Sequence, residues 1–277
     1  MGSYAQPVTL TEALALLARG GVSVVAGGTD FYPGFGVRSA PDALLDLTRI
    51  SGLRGVSREA DGWRIGGCST WSELINAPLP PAFDGLKAAA REVGSVQIQN
   101  VGTVAGNLCN ASPAADGVPP LLALGASVEL TSLDGRRVLA LEEFLLGVRR
   151  SALLPGEVLT AVLVPDLPAT ARGSFQKLGA RRYLVISVAM VSAVIWHAAG
   201  RIAGARVAVG ACSPVAMRLA GLEAALIGRR AGDIAEVRWA DHLAGLTPID
   251  DVRASGGYRL EAVAELCRRA VLGAVDA

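Results

Sequence analysis

The chain has 277 residues, 51% of them hydrophobic and only 18% charged, with a formal net charge of +1. That length exceeds one typical core and suits two or three compact lobes, and so much apolar material excludes global disorder. Scattered charge without an extended basic patch argues against nucleic-acid binding. The longest apolar run, residues 184–195, falls short of the roughly 18 residues of a membrane-spanning helix.

In chain order, Thr9-Leu10-Thr11-Glu12 has the form of a capping box, so a helix is predicted through Leu17, stopped by Gly20-Gly21. Val22 to Ala26 reads as a buried strand ending at Gly27-Gly28, and Ala43 to Leu47 as a second strand. A helix between strands makes a small α/β lobe, placed at residues 1–56. A second lobe, 57–165, starts with a strand at Trp63 to Gly66. Thr70-x-x-Glu73 repeats the capping-box pattern, and a helix is predicted over Ala82 to Val93. Pro119 to Leu124 reads as a short helix and Ser127 to Thr131 as a strand. Asp134-Gly135 marks a hairpin turn, Glu142-Glu143 an exposed helix start, and a strand follows Pro155-Gly156. Residues 166–277 form an α+β region. Its predicted strands are Phe175 to Leu178, Ser187 to Trp196 and Ile202 to Val209, the last two paired antiparallel. Its predicted helices are Val215 to Ile227 and Leu260 to Val271.

The four cysteines, Cys68, Cys109, Cys212 and Cys267, are widely spaced, with no C-x-x-C pair and only His197 and His242 to assist. Small buried thiols are expected, not a metal or iron–sulfur site. The chain opens without a signal-peptide pattern, since Gln6 and Glu12 interrupt the local hydrophobicity, so a cytoplasmic location is the default expectation.

Three stretches could carry chemistry. In Val24-Val25-Ala26-Gly27-Gly28-Thr29-Asp30-Phe31 a strand runs into two glycines, which exposes consecutive backbone N–H groups suited to phosphate oxygens. A tight turn gives the same pattern; a Walker loop and a G-x-G-x-x-G fingerprint do not fit. The second stretch, Gln97 to Asp116, gathers Gly102, Thr103, Gly106, Asn107, Asn110 and Asp116 in what reads as a loop. Twenty such residues in a compact domain are usually functional. The third places Lys177, Arg181, Arg182 and Tyr183 after a strand, equally compatible with a solvent-facing surface. No nucleophile triad is visible.

Together these motifs identify a resemblance. Ala26-Gly27-Gly28-Thr29-Asp30, the Gln97–Asn107 run, Ala111-Ser112-Pro113-Ala114-Ala115-Asp116, Pro155-Gly156-Glu157-Val158-Leu159 and Lys177-Leu178-Gly179-Ala180-Arg181-Arg182 occur in family-like order and spacing. The chain resembles the FAD-binding medium subunit of the molybdenum hydroxylases, the family of xanthine and carbon monoxide dehydrogenases. Val207 to Pro214 looks most like the bacterial xanthine-dehydrogenase type. The resemblance implies an α+β fold of the vanillyl-alcohol-oxidase and p-cresol-methylhydroxylase type, with two α/β subdomains holding FAD and a smaller C-terminal α+β domain. It implies that Val24, Val25, Ala26, Gly27, Gly28, Thr29, Asp30 and Phe31 wrap the pyrophosphate. Thr103, Val104, Ala105, Gly106 and Asn107 would form a second phosphate-contacting loop, and Asp116 would hold a hydroxyl-bearing part of the cofactor. Leu159 would pack near one end of it, with Lys177 and Tyr183 beside the flavin ring. FAD is expected to be non-covalent. Molybdopterin and [2Fe–2S] clusters are expected on a large and a small partner subunit, with NAD or another molecule as electron acceptor. A regulatory module that kept the fold, or a stand-alone flavin oxidoreductase, are the alternatives.

Two positions depart from the family pattern. Ala105 stands where a glycine is usual; if that position requires positive φ, alanine costs about 1 kcal/mol and weakens FAD binding. Gln99 stands where an arginine is common, which is expected to remove a positive charge from the site.

Overall fold

The computed structural model describes residues 3–36, 41–181 and 184–276. Among the described residues, three larger β-sheets follow one another along the chain, each with its own helices, and a two-stranded ladder stands beside the second. The first is parallel, in the order β1-β3-β2, from β1 (Ser3–Ala5), β2 (Ser23–Val25) and β3 (Ala43–Asp46). Helix α1 (Leu10–Ala18) buries Ala13 and Leu14 against Leu45 and Leu47. The Thr9 hydroxyl caps it by accepting from the Glu12 N–H at 3.2 Å.

The second sheet is antiparallel, in the order β4-β5-β10-β6-β7. Its strands are β4 (Val56–Glu59), β5 (Gly62–Gly66), β6 (Ser127–Ser132), β7 (Gly135–Ala140) and β10 (Val158–Pro165). A small hairpin of β8 (Leu145–Gly147) and β9 (Arg150–Ser151) precedes β10. Helices α2 (Trp71–Asn76), α3 (Asp84–Glu92), α4 (Val96–Val101), α5 (Val104–Asn110), α6 (Val118–Leu124) and α7 (Leu141–Phe144) accompany it. Trp71, Leu74, Phe83, Leu108, Leu121 and Phe144 join Ile65, Val128 and Val162 of the sheet in one core. At Thr70 both halves of the capping box form: its hydroxyl accepts from the Glu73 N–H, and Glu73 Oε2 accepts from the Thr70 N–H.

The third sheet is an antiparallel meander of β11 (Arg172–Leu178), β12 (Ala189–Ala198), β13 (Arg201–Gly210) and the short β14 (Met217–Arg218). Period-two alternation splits β12 between two cores. Val191, Ala193 and Ile195 face helices α8 (Ala220–Leu226) and α9 (Gly256–Val275). Met190 and Val194 face the side of α3 and α6. A sheet buried on both faces needs near-continuous apolar strands, which accounts for the longest apolar run without a membrane. No helix among the described residues is long and apolar enough to cross one.

Three expectations are corrected. The glycine- and asparagine-rich stretch is two short helices, α4 and α5, joined at Gly102-Thr103, because the Thr103 hydroxyl accepts from the Gly106 N–H and starts α5. The helix predicted over 82–93 opens as a 3₁₀ turn, Pro81–Phe83, before α3. The helix predicted over 215–227 begins only at Ala220. Met217 and Arg218 pair with Val209 and Ala208 instead, where they extend the sheet edge.

Candidate functional site

The two glycine-bearing stretches meet directly. Gly27 packs so closely on the end of α4 that a Cβ there would lie 2.0 Å from the Val101 carbonyl oxygen. The Thr29 hydroxyl lies beside Gly102, and the Asn110 amide donates to Asp30 Oδ2. Gly28 has φ +69°, and the Tyr32 ring stands against it; this left-handed conformation costs glycine least. Among the described residues, the backbone N–H groups of Gly27, Gly28, Thr29 and Asp30 meet no protein acceptor. Four successive unpaired amides after a strand form a concavity with the polarity of an anion site. Of the flanking residues, Val24 is exposed, Val25 is buried, Ala26 packs on the core under the sheet, and Phe31 meets Tyr32 edge to face at 5.4 Å.

The start of α5 is arranged differently. Val104 N–H donates to the Ser69 carbonyl and Ala105 N–H to that of Gly67, both at 3.0 Å, and Gly106 N–H donates to Thr103 Oγ1 at 3.1 Å. These amides are consumed by the protein. What α5 turns outward is the exposed Gly106, with Asn107 half-buried beside it. Asn107 Oδ1 is buried and, with Arg259 Nε, is one of two such side-chain atoms without a partner among the described residues. It lies beside Gly117, where a Cβ would approach it to 2.9 Å. An orphaned buried amide oxygen is a costly arrangement that a hydroxyl or amine donor would relieve.

The Asp116 side chain is largely withdrawn from solvent and holds two partners: Lys177 Nζ donates to Oδ2 and Ser187 Oγ donates to Oδ1, each at 2.7 Å. Lys177 also donates to the Glu92 carbonyl at 3.3 Å. Burial pushes the Asp116 carboxyl above its ordinary range, while Lys177 and Ser187 pull the other way by favouring the charged form. Beside the pair, a cleft of about 410 Å³ opens between α3 and β11, lined by Ala88, Glu92, Phe175, Gln176, Lys177 and Arg181, among others. The Leu159 side chain is buried in the core, and its carbonyl oxygen backs onto Gly67, as does the Ala105 methyl. Tyr183 and its neighbour Arg182 lie outside the described residues.

Both departures from the family pattern have local explanations. Ala105 sits in the first turn of α5 and is absent from the left-handed residues of the chain, so the conditional 1 kcal/mol cost does not arise. In a helix, alanine is favoured over glycine by about 1 kcal/mol. Gln99 is buried, and its amide donates to the Arg91 and Val93 carbonyls at 2.9 and 3.2 Å, where it closes the end of α3. It faces the protein, not the concavity. The four cysteines are free. Cys68, Cys212 and Cys267 are buried and Cys109 half-buried, and burial pushes each thiol up, to about 11 for Cys212 and about 12 for the rest.

Sequence reasoning passed over Ser187, which has no neighbouring motif, and Tyr32, one residue beyond the Val24–Phe31 stretch. Arg149 belongs to none of the motifs that carry the resemblance. In the structure Arg149 Nη1 donates to Asn110.

Residues 1–167 match the model of the FAD binding domain in molybdopterin dehydrogenase, so the chain carries the fold of an FAD-binding flavoprotein. Residues 174–274 match the C-terminal domain of CO dehydrogenase flavoprotein. The chain therefore belongs to the family of FAD-binding medium subunits of the molybdenum hydroxylases, an oxidoreductase family. It is 31% identical over 276 residues to the nicotine 6-hydroxylase medium subunit of Paenarthrobacter nicotinovorans, with 98% of this chain and 96% of that one covered. It is 28% identical over 273 residues to the carbon monoxide dehydrogenase medium chain of Hydrogenophaga pseudoflava, covering 97% and 95% of the two. A chain of reconstituted CO dehydrogenase from Oligotropha carboxidovorans superimposes with a TM-score of 0.94 at 26% identity, covering 100% of this chain and 98% of that one. The expected mixed α/β flavin-binding fold with a C-terminal flavoprotein domain is the fold of this family.

Proposed function

We propose that the chain binds FAD non-covalently and serves as the electron-transfer subunit of a cytoplasmic heteromeric molybdenum hydroxylase. Electrons would reach it from [2Fe–2S] clusters of a small partner subunit and leave to NAD or another acceptor. Substrate oxidation would take place at molybdopterin on a large partner subunit. The observation that carries the cofactor assignment is the run of four unpaired amides at Gly27 to Asp30, closed from below by Val101 and Gly102. Such a nest offers N–H donors to a pyrophosphate without a lysine. Bound FAD supplies reversible one- and two-electron chemistry.

The residues divide the work as follows. Val24 to Phe31 carry the amide concavity, and Thr29 adds a hydroxyl. Thr103 to Asn107 form the facing wall, with Asn107 Oδ1 free to accept from a ligand donor. The cleft beside Lys177 receives the ring system. Asp116, itself hydrogen-bonded by Ser187, holds the Lys177 ammonium at its edge, where a fixed positive charge favours an anionic form of the ring. Leu159 acts from behind: its carbonyl, through Gly67, sets the position of Ala105.

The test is direct. Purified protein should show flavin absorbance or take up added FAD with saturation, and acid precipitation should release the flavin. A chain that never binds FAD ends this reading. Co-expression with partner subunits and acceptor assays with NAD and artificial dyes then address electron flow.

A further inference from the structure

From the β8–β9 hairpin we infer that Arg149 is the cation of the phosphate-binding loop, supplied from a remote part of the chain and linked to it through Asn110. The inference rests on the proposed binding of FAD. The hairpin loop is Val148-Arg149, between the paired residues Gly147 and Arg150. Arg149 has φ +55°, in a position that two-residue hairpins normally give to glycine or asparagine. A non-glycine residue held left-handed is strained, and such strain concentrates at functional sites. What holds it is specific: Arg149 N–H donates at 2.9 Å to the carbonyl of Ala111, itself left-handed at φ +45°.

From that position the guanidinium reaches the end of α5. Its Nη1 donates to the Asn110 side-chain oxygen and, at 3.4 Å, to the Asn110 carbonyl. The other end of the same amide donates to Asp30, the last residue of the unpaired-amide run. Asn110 thus relays between an arginine and an aspartate. The electrostatic consequence is direct. Asp30 places a negative charge beside a concavity whose amides suit an anion, and Arg149 is the cation that compensates it. Its Nε and Nη2 have no acceptor among the described residues, and the side chain is exposed, so donors remain for phosphate oxygens. Gln99, at the position where a family arginine is common, is buried against α3 and contributes no charge here.

The experiment is a titration of FAD-depleted protein with FAD, followed by flavin fluorescence, at two ionic strengths. Arg149→Gly relieves the backbone strain, so its melting temperature should equal or exceed that of the parent while FAD binds about tenfold more weakly and with a shallower salt dependence. Adding Asp30→Asn to that variant should recover most of the lost affinity. Arg149→Lys should fall between the parent and Arg149→Gly. If Arg149→Gly binds FAD as tightly as the parent, or if Asp30→Asn recovers nothing, this inference fails while FAD binding stands. Failure of the parent protein to bind FAD overturns both.

Discussion

Lys177 Nζ lies 2.7 Å from Asp116 Oδ2, with both side chains almost wholly withdrawn from solvent. The pair joins a residue of the segment matching the FAD binding domain to one of the segment matching the C-terminal domain. Breaking a buried pair from one side strands the other charge, at a cost of about 3–5 kcal/mol. Asp116→Ala should therefore unfold at markedly lower urea than the parent and retain less FAD. Ser187→Ala removes one hydrogen bond and should cost about 1 kcal/mol. Urea melts of the two variants, measured together, check the order; equal losses would contradict it.

At Gly27 and Gly28 the same substitution meets different obstacles. A methyl on Gly27 collides with the Val101 backbone, which cannot turn away, whereas on Gly28 it meets the Tyr32 ring, which can. Gly27→Ala is expected to lower thermal stability and FAD retention together. Gly28→Ala carries mainly the left-handed backbone cost, about 1–2 kcal/mol. Thermal melts with and without added FAD distinguish them.

Ala105→Gly restores the more usual family residue. Because Ala105 is helical and buried against Gly67, the change should destabilise the protein by about 1 kcal/mol and leave FAD affinity unimproved. Tighter FAD binding in the glycine variant would show that the methyl does press on the cofactor.

Glu129 gives the fold a pH dependence. Burial alone would raise its pKa, but the paired bonds from Arg64, the Thr160 hydroxyl and the nearby Arg136 outweigh it and bring the value down to about 2. The folded state thus prefers the charged form. Its stabilisation is complete above the unfolded value near 4.5 and is lost as pH falls toward about 2. Glu129→Gln should be less stable than the parent at neutral pH, with a flatter loss of stability between those two values in denaturant melts.

Much of this was readable in the order of residues. Thr9 and Thr70 announced their helices because a cap is a local interaction among four consecutive residues. Asp134-Gly135 announced its hairpin, and the strand predicted over Ser187 to Trp196 overlaps β12. The glycine run at 27–28 and the lysine at 177 stood out only in the company of the other family motifs, since a tight turn or a solvent-facing surface gives either pattern by itself. The stretch 97–110 was misread as a loop: its composition is poor in helix formers, and only burial of Val104 and Leu108, with the Thr103 cap, makes it helical. Likewise, nothing near Ala105 or Gln99 in sequence reveals that one lies in a helix and the other faces a helix end.

The kind of protein follows from the order of residues alone, because a family motif is a string of neighbouring residues whose backbone needs are local. Tertiary structure alone decided the partnerships. Asp116 with Lys177 and Ser187, Gly27 with Val101, and Asp30 with Arg149 through Asn110 are separated by 61 and 71, by 74, and by 119 positions along the chain. Contacts at such distances exist only once three sheets have packed, since burial, not local propensity, supplies the free energy that holds them.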